Sequence, residues 1–322
     1  MSNPSRKQPS GPEEKLIETE LLRKRIYEKE IIDWAAKEIP ELKYKEICHL
    51  LLRYLFNKII TKTDEDDPIF IETRSPLAED QLKRDFVYNK SSRDPQKFID
   101  ELEEKFSLGS TVMAGEVLRP DRQVSLSGNK IMYGTWKYDD ISSLAKKNPK
   151  SIKYALALNI RYNYLKLTNH GLARVYKDMA KPSDGCEAFA SAFNHYFDLF
   201  CSAFPDLEKP FGSMGSFFNK REWPISKVYM NPPFDESLMT HAMEQVMVYC
   251  IESKNEVEFL CTFPKWDEFP GLDVFKKCEW MRQVNVYEKG EIPFIDYMNN
   301  GKVIYPCGIV EIIVGRKDDV EM

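Results

Sequence analysis

Apolar residues recur at helical spacing twice near the start of the chain. Leu16, Leu21, Leu22, Ile26, Ile31, Ile32 and Trp34 form one stripe, and Pro40 marks its stop. Leu42, Ile47, Leu50, Leu51, Tyr54, Leu55 and Ile59 form a second. An acidic loop follows at Thr63–Pro68. Leu82, Phe86, Phe98, Leu102 and Phe106 then predict one or two shorter helices. Residues 109–137 read as β-like and irregular. The pattern therefore predicts a disordered tail over 1–12, rich in Ser, Pro, Gly and Gln, and a mainly helical domain over 13–150.

From about Ser151 the pattern changes. Ile152, Ala155, Leu156, Leu158 and Ile160 predict a buried helix ending at Arg161-Tyr162. Strand-like and helix-like segments then alternate. Cys186–Ala190 is a short apolar run. Ala192–Phe200 reads as helical and aromatic. Lys227–Met230 reads as a strand running into two prolines. Glu236–Cys250 reads as a strong helix with Asp235 as its cap. Val257–Phe263 and Cys307–Val314 read as buried strands. Short apolar strands alternating with helices predict an α/β, doubly wound domain over 151–322. In such sheets ligands bind beyond the carboxyl ends of the strands.

Composition changes this picture little. At 43% apolar and 30% charged over 322 residues, the chain is an ordinary globular sequence. No run of about 18 apolar residues predicts a membrane span. Met1–Glu14 lacks an apolar stretch, so no secretory signal is expected. Seven scattered cysteines, an odd number without a C-x-x-C pair, make disulfides and zinc unexpected. They suit an intracellular, reducing compartment, nuclear or cytoplasmic. A monomer is expected, and no metal.

Charge does change it. The net charge of −5 argues against nucleic acid, but Leu118–Lys181 holds thirteen basic and four acidic residues, +9 locally against −14 elsewhere. That stretch, with Lys146, Lys147 and Lys150 at its densest point, reads either as a phosphate-binding track or as a solvated lysine-rich face.

The sharpest motif is Asn231-Pro232-Pro233-Phe234, directly after Val228-Tyr229-Met230. Its bland reading is a proline-rich turn. Its chemical reading starts from an exocyclic amine such as adenine N6, a poor nucleophile because its lone pair is delocalised. The Asn231 oxygen and a backbone carbonyl, that of Pro232, can accept its two N–H hydrogens and return the lone pair to nitrogen. The prolines fix φ and aim the carbonyls. Phe234 offers a ring for the base, worth about 1–3 kcal/mol. Such acceptors require a methyl donor in line, S-adenosylmethionine, leaving S-adenosylhomocysteine. The donor site is expected at the earlier strand end, Gly185–Ser191, where small residues let a cofactor approach the backbone. Phe211–Ser216 reads as a small-residue loop that closes on the adenosyl group or is a surface turn.

Glu187-Ala188-Phe189-Ala190-Ser191, Asn194, Tyr196-Phe197, Cys201–Asp206, Phe211-Gly212-Ser213, Asn231–Phe234 with Glu236 and Leu238-Met239, and Phe263-Pro264-x-Trp266 together resemble the phosphorylated-CTD-interacting-factor family of cap-specific adenosine N6-methyltransferases. The resemblance runs from about Ser151 to Val314. It implies a helical domain, a Rossmann-like class I methyltransferase domain, and a basic groove holding the capped 5′ end of mRNA. The expected product is N6-methylated 2′-O-methyladenosine at the first transcribed position. By resemblance, Glu187, Phe189, Ala190, Ser191, Asn194, Asp206, Gly212, Ser213 and Arg161 fall at the donor. Phe234, Pro264, Trp266, Lys146, Lys147 and Lys150 fall at the substrate. Animal members begin with a WW module that binds phosphorylated polymerase tails. No paired-Trp signature precedes the helices here, so tail binding is not expected. Lys265 stands where the family tends to have Glu, which leaves the exact cap substrate open. An N6-adenine methyltransferase acting on DNA or internal RNA, and a non-catalytic RNA-binding relative, are the competing readings.

Overall fold

The computed structural model describes residues 12–62, 66–127, 130–138, 151–167, 172–175, 180–253, 256–266, 272, 275, 278–296 and 302–315. It divides into two compact units. One comprises residues 1–55 and 61–166, the other 56–60 and 167–322.

The first unit is built on helices. Helix α1 (Leu16–Ile26) continues through a π-helical turn, Tyr27–Ile32, into α2 (Asp33–Glu38). Then come α3 (Tyr44–Thr61), α4 (Pro76–Tyr88) and α5 (Pro95–Gly115). The starts of α4 and α5 follow from local chemistry. Ser75 and Asp94 accept the backbone N–H of Ala78 and Lys97, and Pro76 and Pro95 occupy the first helical position, where no donor is needed. These capped helices are longer than the aromatic spacing alone suggested. An antiparallel ribbon, β1 (Val124–Ser127), β2 (Lys130–Tyr133) and β3 (Trp136–Tyr138), fits the expected β character.

Helix α6 (Ile152–Tyr164) closes this unit, although the sequence placed it at the head of the second domain. The reason is ionic. Arg161, fully buried, donates from Nε to Glu20 Oε2 at 3.0 Å and from Nη2 to Glu20 Oε1 at 2.5 Å. The Tyr164 hydroxyl donates to the same carboxylate at 3.3 Å. A buried charge is held only where its partner is, so α6 stays with α1. The tail 1–11 lies outside the described residues.

The second unit carries a six-stranded mixed sheet in the order β6-β5-β7-β8-β12-β9. Its strands are β5 (Cys186–Glu187), β6 (Leu199–Phe200), β7 (Lys227–Met230), β8 (Glu258–Pro264), β9 (Met281–Tyr287) and β12 (Ile309–Val314). The first four are mutually parallel, and β12 runs antiparallel between β8 and β9. A second sheet joins β4 (Leu172–Arg174), β10 (Phe294–Asp296) and β11 (Lys302–Ile304). Within the main sheet the central strands read as near-continuous apolar runs because both faces are covered. Helix α8 (Glu236–Glu252) follows the short α7 (Pro205–Glu208) in the chain. It buries Met239, Ala242, Met243 and Val246 against Val228, Met230, Phe259 and Cys261. Glu311 in β12 is buried because Arg174 Nε donates to it at 3.0 Å.

Two expected elements differ. Residues 192–198 are a turn leading into β6, not a helix, because Ser191 and Asn194 bond each other and break the helical ladder. The strand expected over 186–190 is only Cys186–Glu187. Cysteines 48, 186, 201, 250, 261 and 278 are buried free thiols, and Cys307 is half-buried. Among the described residues no helix is long and apolar enough to cross a membrane, and no group of three or more His, Cys, Asp or Glu is arranged to hold a metal ion.

Candidate active site

Strand register brings the sequence motifs together. Cys186 pairs with Val228 and Glu187 with Tyr229, so β5 and β7 end side by side. Glu187 also pairs with Phe200, and Met230 with Cys261. The segments after β6, β5, β7 and β8 therefore emerge at one rim of the sheet. They are 201–215, 188–198, 231–235 and 265–266. At β5 the order reverses, with β6 on one side and β7 on the other. That is a topological switch point, where open α/β sheets bind ligands.

Asn231 lies just beyond β7. Its side-chain oxygen, Oδ1, is buried and has no hydrogen-bond partner. A buried acceptor left unmade costs about 1–3 kcal/mol. The motif's two carbonyls differ. That of Pro233 accepts the Asp235 N–H at 2.7 Å, whereas among the described residues no backbone N–H is donated to that of Pro232. Asp235 Oδ1 then caps α8 through Leu238 N–H at 2.9 Å. Phe234 is gripped edge-on by two rings, Trp266 at 6.5 Å and 79°, and Phe294 at 6.2 Å and 80°. Trp266 is 40% exposed, so it is not a core residue. Pro264, the last residue of β8, is buried. Lys265 beside it forms an ion pair with Glu288.

The rim after β5 is closed on itself. Glu187 is buried, and its Oε2 accepts the N–H of Tyr196 at 2.7 Å and of Phe197 at 3.2 Å. Burial pushes its carboxyl up to about 8 despite those donors. Ser191 donates from N and Oγ to Asn194 Oδ1, at 2.7 and 2.9 Å. Ala192 N–H goes to Glu208 Oε1 at 2.8 Å, and burial raises the Glu208 carboxyl to about 7. Ala188 N–H goes to Tyr229 O, Ala190 N–H to Cys201 O, and Asp198 N–H to Pro182 O. The N–H groups of Phe193, Asn194 and His195 return to Ser191. Among the described residues, every backbone N–H from Ala188 to Asp198 except that of Phe189 is donated within the protein.

The remaining expected donor residues divide. Phe189 packs on Phe217 at 4.9 Å and Phe218 at 5.7 Å. Ser213 is buried with its Oγ 2.7 Å from Ser202 Oγ, and its segment lies beside Phe200. Gly212 has φ +106°, a left-handed turn that favours glycine, and a Cβ there would come within 3.0 Å of Asp198 O. Asp206 is exposed in the short α7. Arg161 belongs to the first unit and is bonded to Glu20. The pairing of Glu187, Ser191 and Asn194 with backbone of their own loop has no spacing signature and was missed. Glu208 was missed for the same reason.

Several described residues of the basic stretch are already paired. Arg161 and Arg174 are buried in ion pairs with Glu20 and Glu311. Lys153 lies 3.4 Å from Asp121. The stretch is also divided between the two units. Lys146, Lys147 and Lys150 lie outside the described residues.

Residues 154–297 match a family model described as the phosphorylated CTD interacting factor 1 WW domain. A segment of 85 residues is 38% identical to an mRNA (2′-O-methyladenosine-N(6)-)-methyltransferase of Mus musculus, and one of 86 residues is 42% identical to that of Homo sapiens. Each alignment covers 26% of this chain and 12% of the relative. The family resemblance read from Glu187–Ser213 and Asn231–Phe234 is borne out. The expectation against polymerase-tail binding is not supported, since the description of the matching model itself names a WW domain. The match lies over most of α6 and the residues that form β4 to β10, α7 and α8, not ahead of the first helices.

Proposed function

We propose, on the premise that residues 154–297 are a phosphorylated-CTD-interacting-factor segment, that this chain is an S-adenosylmethionine-dependent adenosine N6-methyltransferase acting at the capped 5′ end of mRNA. The observation that carries the reading is the buried, unpartnered Oδ1 of Asn231 at the exit of β7. The strand order, with β12 antiparallel inside an otherwise parallel core, supports a Rossmann-like methyltransferase sheet.

S-adenosylmethionine supplies an electrophilic methyl group on a sulfonium. The residues at the rim suit this cofactor's chemistry. It has no phosphate, and it brings N–H, O–H and positive charge. A loop whose amides are nearly all occupied offers little to a dinucleotide phosphate, which needs free backbone donors. Glu187 offers a carboxylate instead. Phe189, Gly212 and Ser213 flank it by the family resemblance.

Asn231 Oδ1 accepts one hydrogen of the reacting amine and the Pro232 carbonyl accepts the other. Both acceptors are fixed before reaction, so no reorganisation is needed as the nitrogen becomes tetrahedral. Phe234 receives the adenine face, its plane set by Trp266 and Phe294. The proton leaves the nitrogen after methyl transfer, so no strongly basic side chain is required. The test is transfer of labelled methyl from S-adenosylmethionine to capped and uncapped RNAs beginning with A or G. Label on the capped, A-initiated RNA alone is the expected result, and equal labelling of uncapped or internal adenosine would overturn the cap assignment.

The words WW domain support a second reading, binding of a phosphorylated CTD peptide by the same segment. Titration of such a peptide against its unphosphorylated form checks it.

A further inference from the structure

Helix α8 is 17 residues long, about 25 Å at 1.5 Å per residue. The catalytic motif lies at its N-terminus. At its other end is a cleft of about 220 Å³ lined by Lys220, Arg221, Gln245, Tyr249, Glu252 and Ser253, together with Val248. This cleft therefore opens near the amino ends of the parallel strands, away from the rim just described.

Three observations give it chemistry. Lys220 and Arg221 are adjacent cations, and among the described residues neither forms an ion pair. Tyr249 is more than nine-tenths buried, and its hydroxyl has no hydrogen-bond partner. Its ring is fixed edge-on against Phe259 at 5.5 Å, so the side chain is held in place. Gln245 and Ser253 add neutral donors, and Glu252 adds one acceptor. The volume is below the range of about 300–1,000 Å³ usual for drug-sized ligands. It suits one small anionic unit rather than a dinucleotide.

We propose that this cleft binds a phosphate ester with its attached sugar, Lys220 and Arg221 taking the phosphate and Glu252 a sugar hydroxyl. Arginine forks two N–H donors onto phosphate, and lysine adds a point charge. The Tyr249 hydroxyl gains the partner it lacks. The ester comes from a free nucleotide or from an RNA strand. The RNA source rests on the reading of RNA as substrate, whereas the nucleotide source does not.

The test separates the two and needs no methyl transfer. Anisotropy would follow a labelled, uncapped oligouridylate, which has neither cap nor adenosine, on the full chain. Uridine 5′-monophosphate and inorganic phosphate serve as competitors. Lys220→Ala/Arg221→Ala should weaken the strand about 10-fold and lower its log–log salt slope by about 1.4, at about 0.7 per phosphate contact. Tyr249→Phe, which changes no charge, should weaken it several-fold. Displacement by millimolar uridine monophosphate identifies a free nucleotide as a ligand. Weakening by the variants without such displacement identifies the strand. Unchanged binding in Tyr249→Phe, with a wild-type melting curve, would reduce the effect to diffuse surface charge and overturn the cleft. So would binding of a phosphoserine peptide, but of neither RNA nor nucleotide. If capped RNA is never methylated while these binding results hold, the catalytic reading fails and the cleft stands.

Discussion

Asp235 Oδ1 accepts two donors, the Leu238 N–H at 2.9 Å and the Asn57 side-chain amide at 3.3 Å. Both residues belong to the second unit, to which α3 contributes Phe56–Ile60. One oxygen thus starts α8 and fixes the residue directly after the motif. Asp235→Ala should cost about 1 kcal/mol of stability, as N-cap losses do. Asn57→Ala keeps the cap and should cost less. Both should lower kcat for methyl transfer several-fold, because Asn231–Phe234 is then less firmly placed. Thermal melting and steady-state kinetics on the same preparations check the difference.

Asn231→Ala makes a sharper prediction. It deletes an acceptor that stabilises the reacting amine, so kcat should fall by about 10²–10³. The KM for RNA should change little, since the contact strengthens as reaction proceeds. It also deletes a buried oxygen without a partner. The melting temperature should therefore hold or rise. A fall in melting temperature with wild-type turnover would make the motif a structural turn.

That oxygen also shows how far the sequence can be read. Asn231–Phe234 after an apolar strand was legible because prolines and a capping Asp punctuate strand and helix strongly. Helix α8 and the strands around Val228, Phe259 and Ile312 were legible because apolar runs leave few alternatives. Arg161 was set at the donor by family resemblance alone. Only the fold shows that Glu20, 141 positions away, takes it. The turn over 192–198 read as a helix because aromatic residues were counted as a stripe. What decides that segment is Asn194 bonding Ser191, a contact that spacing does not mark. Strands β9 and β10 are held by pairing to β12 and β4, elsewhere along the chain, and their own patterns are weak.

Glu187 gives a pH prediction. Burial raises its carboxyl to about 8. A raised carboxyl stabilises the fold fully below the ordinary carboxylate range, and that contribution is lost as pH rises through about 8. Glu208, raised to about 7, adds to the same slope. Glu187→Gln should flatten part of the decline in stability between pH 5 and 9, read by denaturant titration. A cationic donor favours the ionised form. Calorimetry should find S-adenosylmethionine affinity rising with pH through about 8 in the native chain, and much less so in Glu187→Gln.

Trp266 and Phe234 should separate kinetically. Trp266 is 40% exposed, so Trp266→Ala should leave melting nearly unchanged. It should raise KM for capped RNA, because Phe234 loses one of its edge supports. Phe234→Ala should raise KM and lower kcat together, since stacking starts in the ground state. Phe234→Tyr should retain activity, as its ring still offers a face. Methylation of a capped, A-initiated RNA at several concentrations resolves the two constants.

The turn from Ala188 to Asp198 has its amides occupied before any ligand arrives. It has almost no hydrogen bond to gain by changing shape. Amide protons there are sheltered from solvent in the free protein, so hydrogen exchange should be slow without ligand and slow further only at Phe189. A cofactor arriving at such a rim meets a surface already in its final form. Little conformational entropy is then lost on binding, and the heat measured reflects contacts made with the ligand rather than the ordering of a loop.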